Sequence, residues 1–254
     1  MSPTTPARRP TRVQLLVTCL VDRLYPDTGV AVATVLERLG LEVHCPTAQT
    51  CCGQPAFNAG FTDEARALAR HTIDVLSERE DPIVIPSGSC GDMVIHQYEA
   101  LFADEPAYAE RARALAHRTH EFTQFLVNVL GVMDVGAISR GTIAYHACCH
   151  GLRGLGVKDE PLALLSHVQG ATLCPLAESD VCCGFGGLFA VKMSDISSAM
   201  LARKLACIQH AQPGAVAVTD VSCLMHMAGG LRRTGSPVQV RHIADILAES
   251  LPPA

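Results

Sequence analysis

Short apolar runs alternate with longer amphipathic stretches along the whole chain. The runs span four to six residues and are rich in Val, Ile and Leu. Runs of this length are too short for helices and are typical of buried strands. They predict six strands, at Val13–Thr18, Leu41–Cys45, Ile83–Pro86, Thr142–His146, Ala171–Pro175 and Ala215–Thr219.

The amphipathic stretches between these runs predict helices. One helix follows Thr62, a residue type favoured at the N-cap, and another follows Ser194. Apolar side chains recur on one face of the first helix, for example at Ala65, Ile73 and Leu76. Strands that alternate with helices form parallel sheets with right-handed crossovers, so the pattern predicts an α/β fold.

The chain contains an internal repeat. Cys-Cys-Gly occurs at Cys51 and again at Cys182, which is 131 residues later. One cysteine precedes each pair, with 31 and 32 residues between, and another follows, with 37 and 39 residues between. His120-Glu121-Phe122 also aligns with His242-Ile243-Ala244 near the end of each copy. We therefore predict two pseudo-symmetric repeats, each a small parallel sheet flanked by helices: a disordered tail at residues 1–10, a first cysteine-rich domain at 11–138 and a second at 139–254.

The composition excludes several classes of protein. With 48% hydrophobic and 18% charged residues, the chain can bury a core and is not a disordered polymer. A net charge of −5 argues against nucleic-acid binding. The sequence contains no run of eighteen apolar residues, so we expect no membrane span. The first ten residues lack the apolar region of a signal peptide, so we expect a soluble cytoplasmic protein. Twelve cysteines in a reducing compartment indicate metal binding or redox chemistry rather than disulfides.

The repeated cysteines all follow predicted strands. The carboxyl ends of parallel strands meet at one edge of a sheet, where ligands bind. Each copy is therefore expected to bring four thiols to one place. The two predicted sets are Cys19, Cys51, Cys52 and Cys90 in the first copy, and Cys149, Cys182, Cys183 and Cys223 in the second.

Four thiolates suit either tetrahedral zinc or an iron–sulfur cluster. The ligands here are spread over about seventy residues, unlike the compact knuckles of structural zinc. Adjacent cysteines are awkward ligands for one tetrahedral ion and natural ones for a cluster, in which neighbouring thiolates bind different irons. We favour an iron–sulfur cluster, and zinc or no metal stays open.

The remaining cysteines and the residues around Cys149 receive weaker assignments. Cys148 is expected to point away from the site, and Cys207 is expected to pack in the core. Core packing is also favoured for Cys45 and Cys174, and a role as supplementary ligands stays open for these two. Catalytic residues are not identified. The candidates for contacts with a substrate or with the metal ligands are His146, His150 and Arg153.

No nucleotide-binding motif accompanies the predicted sheets. The first strand is not followed by G-x-G-x-x-G, and the glycine-rich CCGFGG segment lacks the Lys-Ser/Thr of a P-loop. We therefore expect a protein that transfers electrons without a flavin or nicotinamide of its own.

The spacing C-x31–32-CC-G-x36–38-C, present twice, resembles the cysteine-rich CCG domain found in heterodisulfide reductase and in the glycolate oxidase iron–sulfur subunit. The likeness covers about residues 12–250. Within this family the chain resembles the lactate-utilization branch. That resemblance implies an iron–sulfur subunit of a complex that oxidises L-lactate to pyruvate, working with a ferredoxin-like iron–sulfur subunit and a third subunit. The segments that resemble the lactate-utilization branch of this family are Val17–Asp22, Gln49–Ala56, Pro86–Cys90 and Cys182–Gly187.

The resemblance implies one [4Fe–4S] cluster per repeat, with one departure from the family pattern. Heterodisulfide reductase ends each copy in C-x-x-C, whereas Ser87 and Asp220 stand here in place of the first of those cysteines. This argues against a cluster held by five cysteines. The alternatives left open are a thiol–disulfide reductase, a zinc-bound or metal-free scaffold subunit, and glycolate or another 2-hydroxy acid as the substrate.

Overall fold

Eight short strands form the framework of the protein in the computed structural model, which describes residues 9–249. Residues 1–8, and with them nearly all of the predicted tail at 1–10, lie outside the described part, as do residues 250–254. The strands are β1 (Arg12–Leu15), β2 (Glu42–His44), β3 (Ile83–Ile85), β4 (Thr119–Glu121), β5 (Ile138–Tyr145), β6 (Gln169–Leu173), β7 (Ala215–Val218) and β8 (Gln239–His242).

Helices fill the connections between the strands. The two longest helices begin at Thr62 and Ser194, and neither N-cap residue makes a side-chain hydrogen bond. The N-cap of the first is Phe61, so the prediction of Thr62 as the cap was wrong by one residue. Two π-helical turns lie at Met93–Gln97 and Phe125–Val129. The helices are α1 (Cys19–Leu24), α2 (Pro26–Arg38), α3 (Gln54–Asn58), α4 (Thr62–Leu76), α5 (Gly88–Asp92), α6 (Tyr98–Leu101), α7 (Pro106–His117), α8 (Phe122–Gln124), α9 (Cys149–Gly154), α10 (Glu160–Ser166), α11 (Leu188–Lys192), α12 (Ser194–Ala211), α13 (Val221–Arg233) and α14 (Ile243–Ala248).

The strands form two parallel sheets of the same topology. Their orders are β2-β1-β3-β4 and β6-β5-β7-β8, so each sheet is built from one half of the chain. The two central strands of each sheet pair with each other: Leu15 of β1 lies opposite Val84 of β3, and Tyr145 of β5 lies opposite Ala217 of β7. This confirms the predicted α/β fold of two pseudo-symmetric sheets flanked by helices.

Two strands, β4 and β8, were missed by the sequence pattern. They have three and four residues, and each pairs with one neighbour, β3 or β7. Their polar residues conceal the apolar run that marks the other strands. The residues that end them, Glu121 and His242, cap the following helices, so these two are counterparts and the alignment of His120 with His242 was wrong by one residue.

The two sheets share one hydrophobic core. Val13 and Leu36 of the first half lie in the same buried cluster as Ile143, Leu164 and Ile246 of the second. Helix α14 packs on α2, and the Thr28 hydroxyl donates a hydrogen bond to Asp245 across that contact, with 3.2 Å between the oxygens. The halves therefore form one packed body, and the loops after the strands of both sheets can face each other.

The contact between α5 and α9 leaves no room for a side chain at Gly88. A Cβ atom on Gly88 would lie 2.7 Å from the Cα and N atoms of Gly151. We expect Gly88→Ala to lower the free energy of unfolding by about 1–3 kcal/mol, because backbone cannot yield as a side chain can. Denaturant unfolding measures this change. Gly229→Ala in α13 is the matched control: its Cβ would have no neighbour within 4 Å, and it should be neutral or stabilising. Equal midpoints for the two variants would contradict the prediction.

Glu121 is fully buried at the end of β4. One carboxyl oxygen accepts hydrogen bonds from the backbone N–H groups of Thr123 and Gln124, and the other has no hydrogen-bond partner among residues 9–249. Burial raises the pKa of Glu121 from 4.5 to about 7. The folded chain therefore holds this proton more tightly than the unfolded chain does.

The raised pKa of Glu121 predicts that stability falls with rising pH. Its contribution is fully present below about pH 4.5, and it is lost as the pH rises through the folded value near 7. The loss is on the order of 3 kcal/mol, from 1.36 kcal/mol per pKa unit. Urea unfolding of the wild type and of Glu121→Gln at pH 5 and pH 8 measures it. The variant should lack this part of the pH dependence, and an unchanged dependence would show that Glu121 is ionised in the fold.

Candidate metal centres

A cavity of about 200 Å³ lies where the carboxyl ends of the two sheets meet. Both halves of the chain line it, together with the glycine-rich segment Phe185–Leu188. The cysteines in its wall are Cys19, Cys52 and Cys90 from the first half, and Cys148, Cys149, Cys182, Cys183 and Cys223 from the second. The fold thus brings together thiols that are distant in sequence, and all twelve cysteines are free.

The first thiol set, Cys19, Cys51, Cys52 and Cys90, consists of two close pairs. The Sγ atoms of Cys19 and Cys51 are 3.7 Å apart, and those of Cys52 and Cys90 are 3.3 Å apart. Cys19 is the first residue of α1, Cys90 lies in α5, and the adjacent pair precedes α3. The hydrogen bond from Cys19 lowers the pKa of the Cys51 thiol and raises that of Cys19, so Cys51 is the first to ionise.

A glycine after each adjacent pair lets the cysteine loop lie against the following long helix. Gly53 has φ 88° and Gly184 has φ 94°, both in the left-handed region. A Cβ on Gly184 would lie 2.7 Å from the carbonyl oxygen of Ser197. The N–H groups of Gly53 and Gly184 point at the preceding sulfurs, 3.5 Å from Cys51 Sγ and 3.4 Å from Cys182 Sγ. Each glycine therefore supplies both the turn and a donor to a thiolate.

The second thiol set, Cys149, Cys182, Cys183 and Cys223, includes a fifth thiol. Cys149 and Cys182 have their Sγ atoms 4.0 Å apart. Contacts with the thiols of Cys148 and Cys183, together with burial, raise the pKa of the Cys223 thiol. The prediction that Cys148 points away from the site was wrong. The chain leaves β5 at Tyr145, so the alternation of a strand no longer applies, and Cys148 is 2% exposed in the cavity wall.

His146, one of the three candidates near Cys149, lies beside the second thiol set. Its ring is buried, and Nδ1 lies 2.9 Å from the carbonyl oxygen of Ser179, which can only accept a hydrogen bond. Nε2 has no hydrogen-bond partner among residues 9–249, and a nitrogen of the ring lies within 4.8 Å of the sulfurs of Cys183 and Cys223. Burial, with the nearby charge of Lys204, lowers the pKa of His146 to about 4, so the ring is neutral at physiological pH.

The other two candidates near Cys149 both lie on α9 and differ in their relation to the cavity. His150 lines the cavity and its Nδ1 is 2.8 Å from an oxygen of Asp92, which belongs to the other half. Arg153 donates to the carbonyl oxygen of Asp180, 3.2 Å away, and is not among the residues that line the cavity. Of the pair, His150 alone is placed to meet a molecule in the cavity.

The cysteines outside the two sets do not share one environment. Cys45 is exposed, and its sulfur accepts a hydrogen bond from the side-chain amide of Gln49 at 3.2 Å, so the prediction of core packing was wrong for this residue. The pattern failed there because β2 is an edge strand with no buried residue. Cys174 and Cys207 are half-buried against the outer core of the second half.

Ser87 and Asp220 occupy the two positions where the family pattern has a further cysteine. Both are helix N-caps, of α5 and α13. One oxygen of Asp220 accepts hydrogen bonds from the Ser87 hydroxyl (3.0 Å) and the Ser89 N–H (2.8 Å). The other accepts from the N–H and the hydroxyl of Ser222. These residues therefore join the two halves at the cavity wall, a role that the sequence pattern did not show.

The two sheets have the same topology, and each presents thiols from equivalent positions of the repeat. This arrangement defines a tandem cysteine-rich protein. The profile of the CCG family, described as a cysteine-rich domain, matches residues 13–95 and 143–228. Lactate utilization protein A of Anoxybacillus flavithermus is 46% identical over 235 residues, covering 92% of this chain and 98% of its own. The protein of the same name from Bacillus licheniformis is 45% identical over 236 residues, covering 93% and 98%. The chain belongs to the lactate utilization protein A family, within the CCG domain proteins.

Solved structures are less similar to the chain. An aspartate racemase homologue from Pyrococcus horikoshii OT3 aligns over 94% of this chain and 96% of its own, with 7% identity and a TM-score of 0.34. A likeness at this level bears on neither fold nor function. Among residues 9–249, no helix combines the length and the apolar character needed to cross a membrane.

Proposed function

We propose that the protein is an iron–sulfur electron-transfer subunit in the oxidation of L-lactate to pyruvate. The observation that carries this proposal is the first thiol set, in which Cys19, Cys51, Cys52 and Cys90 converge beside the cavity from three separate segments. The name of the relatives, lactate utilization protein A, supports lactate as the substrate of the pathway.

The donors of the first set fit an iron–sulfur cluster. Thiolates are the usual ligands of such clusters, and the cavity wall beside them is predominantly apolar. A [4Fe–4S] cluster held there would accept and release one electron at a time. The Gly53 N–H aimed at Cys51 Sγ stabilises negative charge on that sulfur. The Tyr98 hydroxyl donates to the Cys52 carbonyl oxygen at 2.7 Å and fixes the loop that carries the pair.

The proposal includes partner subunits. Oxidation of lactate releases two electrons, and the sequence has no dinucleotide-binding motif with which to take them as a hydride. We propose that a ferredoxin-like iron–sulfur subunit and a third subunit complete the pathway in the cytoplasm, where twelve free thiols remain reduced. Glycolate or another 2-hydroxy acid is the competing substrate. Lactate and glycolate differ by one methyl group, and no residue of the cavity wall identifies a binding place for that group.

The test is the iron and acid-labile sulfide content of protein purified without oxygen, with an EPR spectrum after reduction. At least about four irons and four sulfides per chain, the content of one [4Fe–4S] centre, are expected. Addition of L-lactate and the partner subunits should then reduce the cluster. Absence of labile sulfide would overturn the electron-transfer role. Turnover with a disulfide substrate would favour the reductase instead, although Ser87 and Asp220 in place of two cysteines argue against it.

A further inference from the structure

The sequence alone predicts a second cluster on Cys149, Cys182, Cys183 and Cys223, but the donors in the structure favour a different occupant. We propose that the second half holds one divalent ion of the zinc class, with His146 Nε2 and the thiolates of Cys183 and Cys223 as ligands. This site does not depend on the iron–sulfur assignment of the first set.

The spacing of the three donor atoms suits one ion. Zinc binds sulfur at about 2.3 Å and nitrogen at about 2.0–2.1 Å, so the ligand atoms of a tetrahedral site lie about 3.6–3.8 Å apart. A ring nitrogen of His146 and the two sulfurs already lie within 4.8 Å of one another. An approach of about 1 Å or less therefore brings these atoms to tetrahedral spacing.

The orientation of His146 is that of a metal ligand. Metal-bound histidines donate their other ring N–H to a carbonyl or carboxylate, and Nδ1 of His146 lies 2.9 Å from the Ser179 carbonyl oxygen. This bond fixes the tautomer, with the proton on Nδ1 and the free lone pair on Nε2. The ring is completely buried, and a buried nitrogen without a partner is unfavourable unless it binds something. An ion at this point satisfies it.

The first half has no counterpart of this donor. The alignment of Cys19 with Cys149 places Leu16, a buried apolar residue, at the position of His146. The second half also buries the Lys204 side chain, whose charge acts on Cys183. The two halves are therefore built for different centres, although their backbones are alike.

The fourth ligand of the proposed ion is Cys148. Its thiol is buried and contacts that of Cys223, so it is placed to complete a Cys3His site. Such a closed site would tie the end of β5 to the cysteine loop and to α13. Because zinc is redox-inert, electrons would pass through the first half alone. Cys149 and Cys182 stay outside the four ligands, half-buried at the cavity.

Metal analysis of the full chain tests the site. Protein purified without oxygen should contain about one zinc in addition to the iron of the first set. His146→Leu, which copies the residue of the first half, should weaken Zn²⁺ binding at least about 100-fold in a chelator competition. Loss of a group that merely orients a ligand costs about 10–100-fold, and loss of a ligand should cost more. Co²⁺ in place of zinc should show thiolate-to-metal charge-transfer bands that the variant lacks.

A second variant separates loss of the ligand from loss of the fold. His146→Cys offers a thiolate in place of the nitrogen and should retain zinc, with stronger charge-transfer absorption in the cobalt form. Unchanged zinc affinity in His146→Leu, or about eight irons and no zinc in the native chain, would overturn the proposal. One zinc without iron would instead refute the electron-transfer role and leave this site standing.

Discussion

Replacing Cys90 with Ala should remove nearly all of the iron and labile sulfide bound by the first thiol set, lowering cluster affinity at least tenfold. Cys90 is 8% exposed, and its sulfur lies 3.3 Å from that of Cys52. No other thiol of the first half replaces it, because Cys45 is exposed and outside the cavity wall. A cluster with one ligand missing is held more weakly and is open to water. Iron, sulfide and zinc per chain, with EPR after reduction, measure the change.

Cys45→Ala is the matched control for this experiment. It removes a thiol from the same half, at a residue whose sulfur accepts a hydrogen bond from Gln49 outside the cavity wall, and it should leave iron unchanged. Zinc should stay bound in both variants, because its proposed ligands lie in the second half. Retention of iron in Cys90→Ala would remove Cys90 from the ligands. Simultaneous loss of zinc would show that the two centres are not independent.

The sequence was a good guide to the framework and a poorer one to the centres. Apolar runs predicted six of the eight strands. Four of these, β1, β3, β5 and β7, are the central strands of the sheets, and buried parallel strands are rich in Val, Ile and Leu. β4 and β8 escaped because their few residues are largely polar at the edge of a sheet. The convergence of the thiols followed from topology, which needs no knowledge of side-chain direction.

The differences between the halves could not be predicted in the same way. His146 and Leu16 are equivalent in the repeat, yet a histidine at a strand end is most often satisfied within the core. In the fold, Ser179, which is 33 residues away in sequence, accepts a hydrogen bond from Nδ1, and Nε2 has no partner among residues 9–249. The sequence indicates neither feature. The position of Cys148 in the cavity wall depends on the turn after β5. The alternation of a continued strand would direct its side chain away from the cavity.

Asp220 was conspicuous in the sequence for the cysteine that it replaces, and its actual role depends on a contact between the halves. Its carboxylate accepts four hydrogen bonds, two from Ser87 and Ser89 of the first half and two from Ser222 of the second. The residue is 2% exposed, so water cannot take over these donors. The same carboxylate thus caps α13 and holds the start of α5, the helices that carry Cys223 and Cys90.

Asp220→Ala should therefore lower the free energy of unfolding by about 3 kcal/mol or more, since hydrogen bonds to a charged group contribute about 1.5–3 kcal/mol each and the buried donors lose their partner. Asp220→Asn should also destabilise, because either orientation of the amide turns its NH2 group toward the N–H of Ser89 or of Ser222. Asp195→Ala, an exposed acidic residue in the first turn of α12, should change stability by less than about 1 kcal/mol. Urea unfolding of the three variants, with metal content measured beforehand, decides the matter. A value for Asp220→Ala no larger than that for Asp195→Ala would mean that the carboxylate does not join the halves in solution.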